Sequence, residues 1–432
     1  MAADLFYGLL PDHLVLLLMV TLMVLELARV PQAWARWVFV GGMALALAVL
    51  AQHFASGFVA VIIPGEIVVD EFATIGKAVV VACGLALGLG FAAQRSFKFW
   101  MLTASSLLGA MLIFDSAGFA SLFIGIELLS LPIFALMVHE RGTSAAPEGA
   151  FKYLVLSSVA SALLLFGISL AYGQTASLSI ADFARALPQG SAQMQAAGLL
   201  ILCGLFLKAA VFPLHAWAPD AYAGARLQVT ALMASVVKAA VVLALVRTFG
   251  VAALAPSTAL VIGLLAVASI FFGNLAALGQ TRFKRLLAYS SVAHAGYMVF
   301  ALLDRTQNRA EDLLWYVAIY AVASLLACAA FAVFCPGEED ELQALEGGFA
   351  SHPVAALLLA VALLSLAGLP PFPGFFAKLF IFKSVIASGH LVGAVLAFIG
   401  SFIGLPVYLG MVVRLFRTDA AAAPARAAQR RA

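Results

Sequence analysis

The chain is a succession of apolar runs near helix length. They fall at about 9–28, 37–53, 73–93, 98–114, 118–138, 151–172, 196–215, 227–248, 255–278, 285–303, 313–334, 353–387 and 391–413. The hydrocarbon core of a bilayer is about 30 Å thick, so roughly 20 apolar residues in a helix cross it. Composition agrees. AVILMFWYC supply 64% of the 432 residues and Asp, Glu, Lys and Arg only 10%, against roughly 25% charged residues in an ordinary globular chain. Too little charge is present to cover a water-soluble surface. The expected fold is an all-α polytopic membrane protein with about 13 transmembrane helices, the long twelfth run counted as one interrupted helix. Soluble enzymes, nucleic-acid binders and disordered scaffolds are excluded. The stretch 58–69 is short and broken by Pro64 and Gly65, and is expected to be re-entrant or to lie on the surface. The first run follows Asp4 and Asp12, contains Glu26 and lacks a small-residue cleavage site, so it reads as a retained helix.

Basic residues set the expected orientation. Loops after odd-numbered runs hold Arg29, Arg36, Arg95, Lys98, Arg141, Arg226, Arg282, Lys284 and Arg285, and the tail adds Arg414, Arg417, Arg426, Arg430 and Arg431. Even-numbered loops and their helix ends hold Arg185, Arg247, Arg305 and Arg309, a ratio of fourteen to four. The positive-inside rule then places the N-terminus outside and the C-terminus in the cytoplasm. The acidic run Glu338, Glu339, Asp340, Glu341 falls on an inside loop, where acids have little influence on topology.

Two of the runs are broken. Run seven carries Pro213 inside its apolar segment and closes on Pro219 and Asp220; run twelve carries Gly368, Pro370, Pro371, Pro373 and Gly374. Proline removes a backbone donor and clashes with the preceding turn. Irregular backbone at membrane depth survives only against protein or a wet cavity. The breaks mirror each other, because Lys208 precedes Pro213 by five residues and Lys378 follows Pro373 by five. The arrangement suggests two inverted repeats of five helices, runs four to eight and nine to thirteen, with discontinuous helices seven and twelve. Four segments follow: a three-helix N-terminal segment over 1–94, the two repeat units over 95–250 and 251–416, and a basic cytoplasmic tail over 417–432.

Few ionisable residues remain inside the spans. Glu127, Lys208, Lys238 and Lys378 are deep, and His294 sits within run ten beside Tyr289, Ser290, Ser291 and Tyr297. A charge at the bilayer centre costs about 2.5–3.5 kcal/mol on insertion scales, so residues of this kind are expected to have a use. A proton cannot cross hydrocarbon unaided; it needs groups that load and release it. Desolvation disfavours a buried lysine's charge and a nearby carboxylate restores it, so a Lys–Glu contact made and broken switches proton affinity. Bland readings stand beside this one. Lys77 reads as an anchor snorkelling to the interface, Lys152 and Lys383 read either as anchors or as functional, and His294 reads either as a relay between the lysines of runs eight and twelve or as a satisfied core histidine. His215, near the first break, is a weaker candidate, and Asp220 reads as a capping or pairing residue. Cys83, Cys203, Cys328 and Cys335 are scattered without metal spacing, and no haem, iron–sulfur, GxGxxG or P-loop signature is present.

At these residues the sequence resembles the antiporter-like membrane subunits of respiratory complex I, the proton-pumping NADH:quinone oxidoreductase. The matching stretches are FLKAAVFPLHAWAPDAYAGA from Phe206, RLLAYSSVAHAGYMV from Arg285 and SLAGLPPFPGFFAKLFIF from Ser365, with GIELLSLPIFAL from Gly125 and EGAFKYLVLSS from Glu148. The wording PLHAWAPDAYAGA is similar to the N type, and Lys378 stands where the M type carries a glutamate. The resemblance covers about residues 95–415 and implies the inverted five-helix units. It also implies that Glu127, Lys152, Lys208, Lys238 and Lys378 occupy the functional positions of the family, which turns the reading of Lys152 towards function. The implied activity is a translocase one, with no redox centre in this chain: NADH, FMN, iron–sulfur clusters and quinone would belong to the whole complex in a bacterial inner membrane. The implied partners are neighbouring antiporter-like and small membrane subunits and the lipid bilayer, with no nucleic acid. N-type relatives usually have a fourteenth helix and both termini outside, whereas this sequence is expected to place its C-terminus inside. Two other readings stay open, a subunit of a multi-subunit cation/proton antiporter or membrane-bound hydrogenase, and a purely structural membrane subunit. The charge tally predicts that a protease tag inserted after Arg417 is reached only from the cytoplasmic face; cleavage of the tag on sealed cells would mean a miscounted span.

Overall fold

The structure, a computed structural model, describes all residues except 1, 92–94, 140–145, 251–254, 306–308, 336, 338–339 and 418–432. Arg141, Glu338, Glu339 and the basic tail beyond Arg417 therefore lie outside the described residues. Helices α1 (Ala2–Gly8), α2 (Leu10–Leu27) and α3 (Ala35–Ser56) come first; strands β1 (Ala60–Ile63) and β2 (Ile67–Val69) follow. Then come α4 (Glu71–Gly90), α5 (Phe97–Asp115), α6 (Phe119–His139), α7 (Ala146–Thr175), α8 (Ile180–Ala186), α9 (Ala192–Lys208), α10 (Trp217–Gly224), α11 (Leu227–Leu232) and α12 (Lys238–Phe249). The second half holds α13 (Pro256–Leu278), α14 (Phe283–Phe300), α15 (Arg309–Phe334), α16 (Gly348–Ser351), α17 (Pro353–Ala367), α18 (Pro373–Ala387) and α19 (Leu391–Phe416). Among the described residues, 11 helices are long and apolar enough to cross a membrane, and Ala192–Lys208 and Pro353–Ala367 are shorter apolar helices. The molecule is an all-α polytopic membrane protein with discontinuous helices. One small hairpin departs from that description.

The hairpin occupies the stretch around Pro64. β-Branched residues flank a turn in which Gly65 takes a positive φ of 77°, a region that L side chains rarely adopt. Ala60 pairs with Val69 and Val61 with Val68 in antiparallel register. The Glu66 carbonyl accepts bonds from Ala117 N at 2.8 Å and Ser121 Oγ at 2.7 Å, which ties the turn to the α5–α6 connection. The sequence pattern pointed to a short irregular segment; the β-branched composition decides for strands.

Local chemistry starts several spans. Asp70 accepts from Ala73 N at 2.7 Å at the start of α4, and Ser96 from Phe99 N at 3.2 Å at the start of α5. Such caps satisfy donors that a helix start leaves open. The centre of the bundle is the segment Leu227–Phe249, whose apolar window is buried all round. A helix apolar on every face belongs inside, enclosed by other helices.

Small residues bring the spans close. A Cβ on Gly109 would lie 2.3 Å from Leu129 N, and one on Gly273 would lie 2.5 Å from Ala293 N, so α5 crosses α6 and α13 crosses α14 at backbone contact. Between apolar helices in lipid, close packing of this kind replaces the hydrophobic drive. Gly109→Leu is predicted to force α5 from α6, break the Ser106 Oγ to Leu129 O bond of 2.9 Å, and destabilise the chain by about 1–3 kcal/mol. A thermal shift measured in detergent checks this, and an unchanged midpoint would show that the crossing yields freely.

Candidate functional site

Both predicted breaks are present. After Lys208, α9 ends in a turn where Ala210 takes φ 55° and Val211 N donates back to Phe206 O at 3.0 Å. The chain resumes as α10, pinned by Trp217 Nε1 donating to Leu207 O at 2.7 Å. In the second break α17 ends at Ala367. Gly368 follows with φ 79° and donates to Leu364 O at 3.2 Å, and α18 begins at Pro373. A Cβ on Gly368 would sit 2.9 Å from the Lys378 side chain, so this turn leaves room for the lysine as well as for the positive φ.

Lys208 and Glu127 meet. Lys208 Nζ lies 3.3 Å from Glu127 Oε1, and donates to Ser130 Oγ at 3.2 Å and Ser157 Oγ at 2.9 Å. Ser161 Oγ also donates to the Glu127 carboxylate. The ammonium is therefore held by one carboxylate and two hydroxyls, from α6 and α7, at the end of the helix that carries it. Burial is unequal: the Lys208 side chain is 5% exposed and that of Glu127 is 27% exposed. The pair has one partner inside the protein and one reaching towards its surface.

Lys238 and Lys378 are held differently. The Lys238 ammonium donates to the carbonyl of Ala209, the residue that caps the end of α9. Lys238 opens α12 just after a π-helical turn over Met233–Val237, a distortion often found at functional sites. Lys378 Nζ donates to Ala367 O at 3.0 Å, to Leu366 O at 3.4 Å and to Ser401 Oγ at 3.0 Å. Among the described residues neither lysine has a carboxylate within ion-pair distance. Their charge rests on the carbonyl end of a helix that stops inside the protein, where the helix dipole favours a cation. A cavity of about 290 Å³ opens beside Lys378, lined by Ala367, Gly368, Phe375, Ser401 and Phe402 among others. That space is roomy enough for water next to polar groups.

His294 lies between the two halves of this arrangement. Its Nδ1 is 2.9 Å from Tyr316 Oη and its Nε2 is 3.4 Å from Tyr408 Oη, which in turn bonds Ser290 Oγ at 2.6 Å. Tyr297 packs on its ring at 5.9 Å between centroids, and Lys378 Nζ lies 4.7 Å from the centre of that same tyrosine. It is thus a satisfied core histidine, joined to Lys378 through the ring of Tyr297.

Other candidates lie apart. Lys152 is 39% exposed and pairs with Asp220 at 2.6 Å and Glu148 at 2.7 Å, while Arg285 approaches the same Asp220 at 3.7 Å. Lys383 is exposed. His215 stacks on Phe212 and Phe272 and touches none of the lysines named above in any bond of good geometry.

The reading of Lys77 as a snorkelling anchor is overturned. Its side chain is fully buried, 2.8 Å from Asp115 Oδ2 and 2.9 Å from Asp12 Oδ2. Snorkelling needs a path to the interface; here α2 and α5 close over the ammonium and supply two carboxylates instead. The signal was present in the sequence. Asp12 opens run one, Lys77 opens run three and Asp115 closes run four, and by the loop parity used for topology all three fall on one face. A second missed group is Arg247, which forks onto Asp70 at 2.6 and 2.7 Å and donates from Nε to Phe114 O at 3.0 Å. Among the described residues no three His, Cys, Asp or Glu side chains are placed to hold a metal ion.

Comparison with known proteins gives this arrangement a family. Residues 116–404 match the membrane domain described as NADH:quinone oxidoreductase/Mrp antiporter, TM. A NADH-quinone oxidoreductase subunit N from Pelobacter propionicus is 55% identical over 421 residues, which are 97% of this chain and 91% of that protein. A chain of respiratory complex I from Thermus thermophilus, solved with bound aureothin, superposes with a TM-score of 0.85 at 34% identity, covering 94% of this chain and 90% of that one. A chain of the Mrp complex from Dietzia sp. shares the fold, with a TM-score of 0.85 at 22% identity, covering 97% of this chain and 81% of that one. With buried lysines set on two broken helices and a profile match over two thirds of its length, the chain belongs to the NADH:quinone oxidoreductase/Mrp antiporter family of membrane proteins.

Proposed function

We propose that this chain is the N-type proton-translocating subunit of a bacterial NADH:quinone oxidoreductase. It has no redox centre of its own, and quinone reduction elsewhere in the complex drives it. The observation that carries the reading is the Lys208–Glu127 pair at 3.3 Å, set beside a helix break and followed at once by Lys238 on the Ala209 carbonyl. A pair alone is a structural tie. A pair whose lysine adjoins the carbonyl holding a second lysine is a place where one charge can alter the next. Separation of Lys208 from Glu127 withdraws the carboxylate that favours the ammonium, and the amine can then give its proton up. His294, joined to Lys378 through Tyr297, would carry the influence into the second half. Lys378, beside its cavity, would be the far end at which a proton is exchanged.

The finer architecture belongs to the same proposal. Counting each interrupted run as one crossing gives 13 spans, and the glycine crossings of α5 on α6 and α13 on α14 fit two units of five spans. The basic residues favour an outside N-terminus and a cytoplasmic C-terminus in the inner membrane. Neighbouring antiporter-like and small membrane subunits would cover its lateral faces, which present a ring of exposed Leu, Val and Phe. NADH, FMN, iron–sulfur clusters and quinone would reside in or between other subunits. Lys152, in its half-exposed cluster with Asp220 and Glu148, would serve at the edge of the route rather than within it.

Two variants test the route. Lys208→Ala and Glu127→Gln each remove one member of a half-buried pair; the complex is expected to assemble while protons moved per NADH fall in both. A normal ratio in both would remove the pair from the route. Lys378→Arg keeps the charge, but a guanidinium does not deprotonate at accessible pH. In sealed vesicles it is expected to assemble, as judged on a native gel, while proton uptake measured beside NADH oxidation fails. Full pumping with arginine at 378 would show that Lys378 holds its carbonyls and exchanges nothing.

A further inference from the structure

The Lys77 cluster stands outside the lysine series and is electrically incomplete. One ammonium serves two carboxylates, Asp115 at 2.8 Å and Asp12 at 2.9 Å. With all three groups charged the cluster carries one uncompensated negative charge, and an uncompensated charge inside apolar packing is costly. Asp115 is wholly buried, and its second oxygen, Oδ1, has no hydrogen-bond partner among the described residues; Thr74 Oγ1, three residues before Lys77, has none either. Several of the elements around the site contribute charged or titratable groups. Asp12 comes from α2, His53 from α3, Lys77 from α4 and Asp115 from α5, while Asp70 lies just before α4. From α12 comes Arg247, spent on Asp70 and on the carbonyl of Phe114, the residue before Asp115. His53 is buried, feels the charges of Lys77 and Asp12, has the Tyr7 carbonyl beside its ring, and makes no hydrogen bond of good geometry from either nitrogen.

We propose that Asp12, Lys77 and Asp115 form a second proton-binding site, in the three-helix N-terminal segment and its seam with α5. The missing positive charge is one proton. Hydronium gives it up, an O–H bond forms on Asp115, water leaves, and the cluster becomes neutral; the reverse step returns the proton to water. Asp12, whose side chain is 14% exposed, is the contact with the surface. Among the described residues no three His, Cys, Asp or Glu side chains are placed to hold a metal ion, and the sodium arm of the test separates a metal cation from a proton. The site also has a link to the centre of the bundle. Arg247 closes the same buried segment, Leu227–Phe249, that carries Lys238.

The test uses the intact complex in lipid nanodiscs without NADH, so it reads proton binding and not pumping. Infrared difference spectra are taken between acidic and alkaline buffer. The wild type is expected to show the C=O stretch of a buried carboxylic acid on acidification. Asp115→Asn should lose that band, and Lys208→Ala should keep it even if the central route proves inactive. A spectrum of Asp115→Asn that superimposes on the wild type overturns the site. Where the asparagine variant fails to assemble, Asp115→Glu is read instead; it keeps the carboxyl, so the band should move, and an unmoved band overturns the site equally. Exchange of sodium for an organic cation should leave the band unaltered. A band that disappears with added sodium makes this a metal-cation site and overturns the proton assignment.

Discussion

A helix that stops inside a bilayer leaves carbonyl groups with no water to meet, and each unmet group costs several kcal/mol. Much of this architecture follows from how that problem is solved. α9 stops at Lys208, and Lys238 donates to its terminal carbonyl at Ala209. α17 stops at Ala367, and Lys378 donates to Ala367 and Leu366. α10 stops at Gly224, and Lys284 donates to Ala223 at 3.0 Å and Ala225 at 2.9 Å. The two interrupted ends are met by lysines that reach in from another element or across the break, and Lys284 does the same at the loop end of α10. The lysine buried in the core and the break in the helix are two sides of one device.

Much of this was legible in sequence because the bilayer is a severe filter. It demands apolar runs of fixed length, so the runs at 98–114, 118–138 and 227–248 give helices within a few residues of their expected bounds. It makes any deep charge conspicuous, which is how Glu127, Lys208, Lys238 and Lys378 stood out. Proline and glycine marked both breaks because neither backbone tolerates a continuous helix there.

What was not legible depends on contact between runs far apart in sequence. Lys77 looked like an anchor because it lies near a helix start; run parity puts Asp12 and Asp115 on its face, but that they meet it and bury it depends on the packing of α2 and α5 around α4. The tyrosines around His294 come from α15 and α19, and single aromatic residues in apolar runs carry no mark of a hydrogen bond. Lys152 is the opposite case. Its run left it open between an anchor and a functional residue and the resemblance turned it towards function; Asp220, at the far side of the break, holds it in a half-exposed cluster. The hairpin at 60–69 escaped because two short strands leave too little periodicity to read, although Gly65 marked the turn.

The hydrogen bonds of Lys378 have a consequence for motion. An ammonium has three donors, and here three acceptors await them: two carbonyls and the Ser401 hydroxyl. When one proton departs, two donors remain for the two carbonyls, and the nitrogen gains a lone pair. The serine hydroxyl can then rotate and donate to that lone pair, so the third bond reverses its direction and is not lost. Both charge states leave the end of α17 fully capped. Proton exchange at this position therefore demands no unwinding and no repacking of the break; the turn of a single hydroxyl suffices, and such rotations are among the fastest events in a protein.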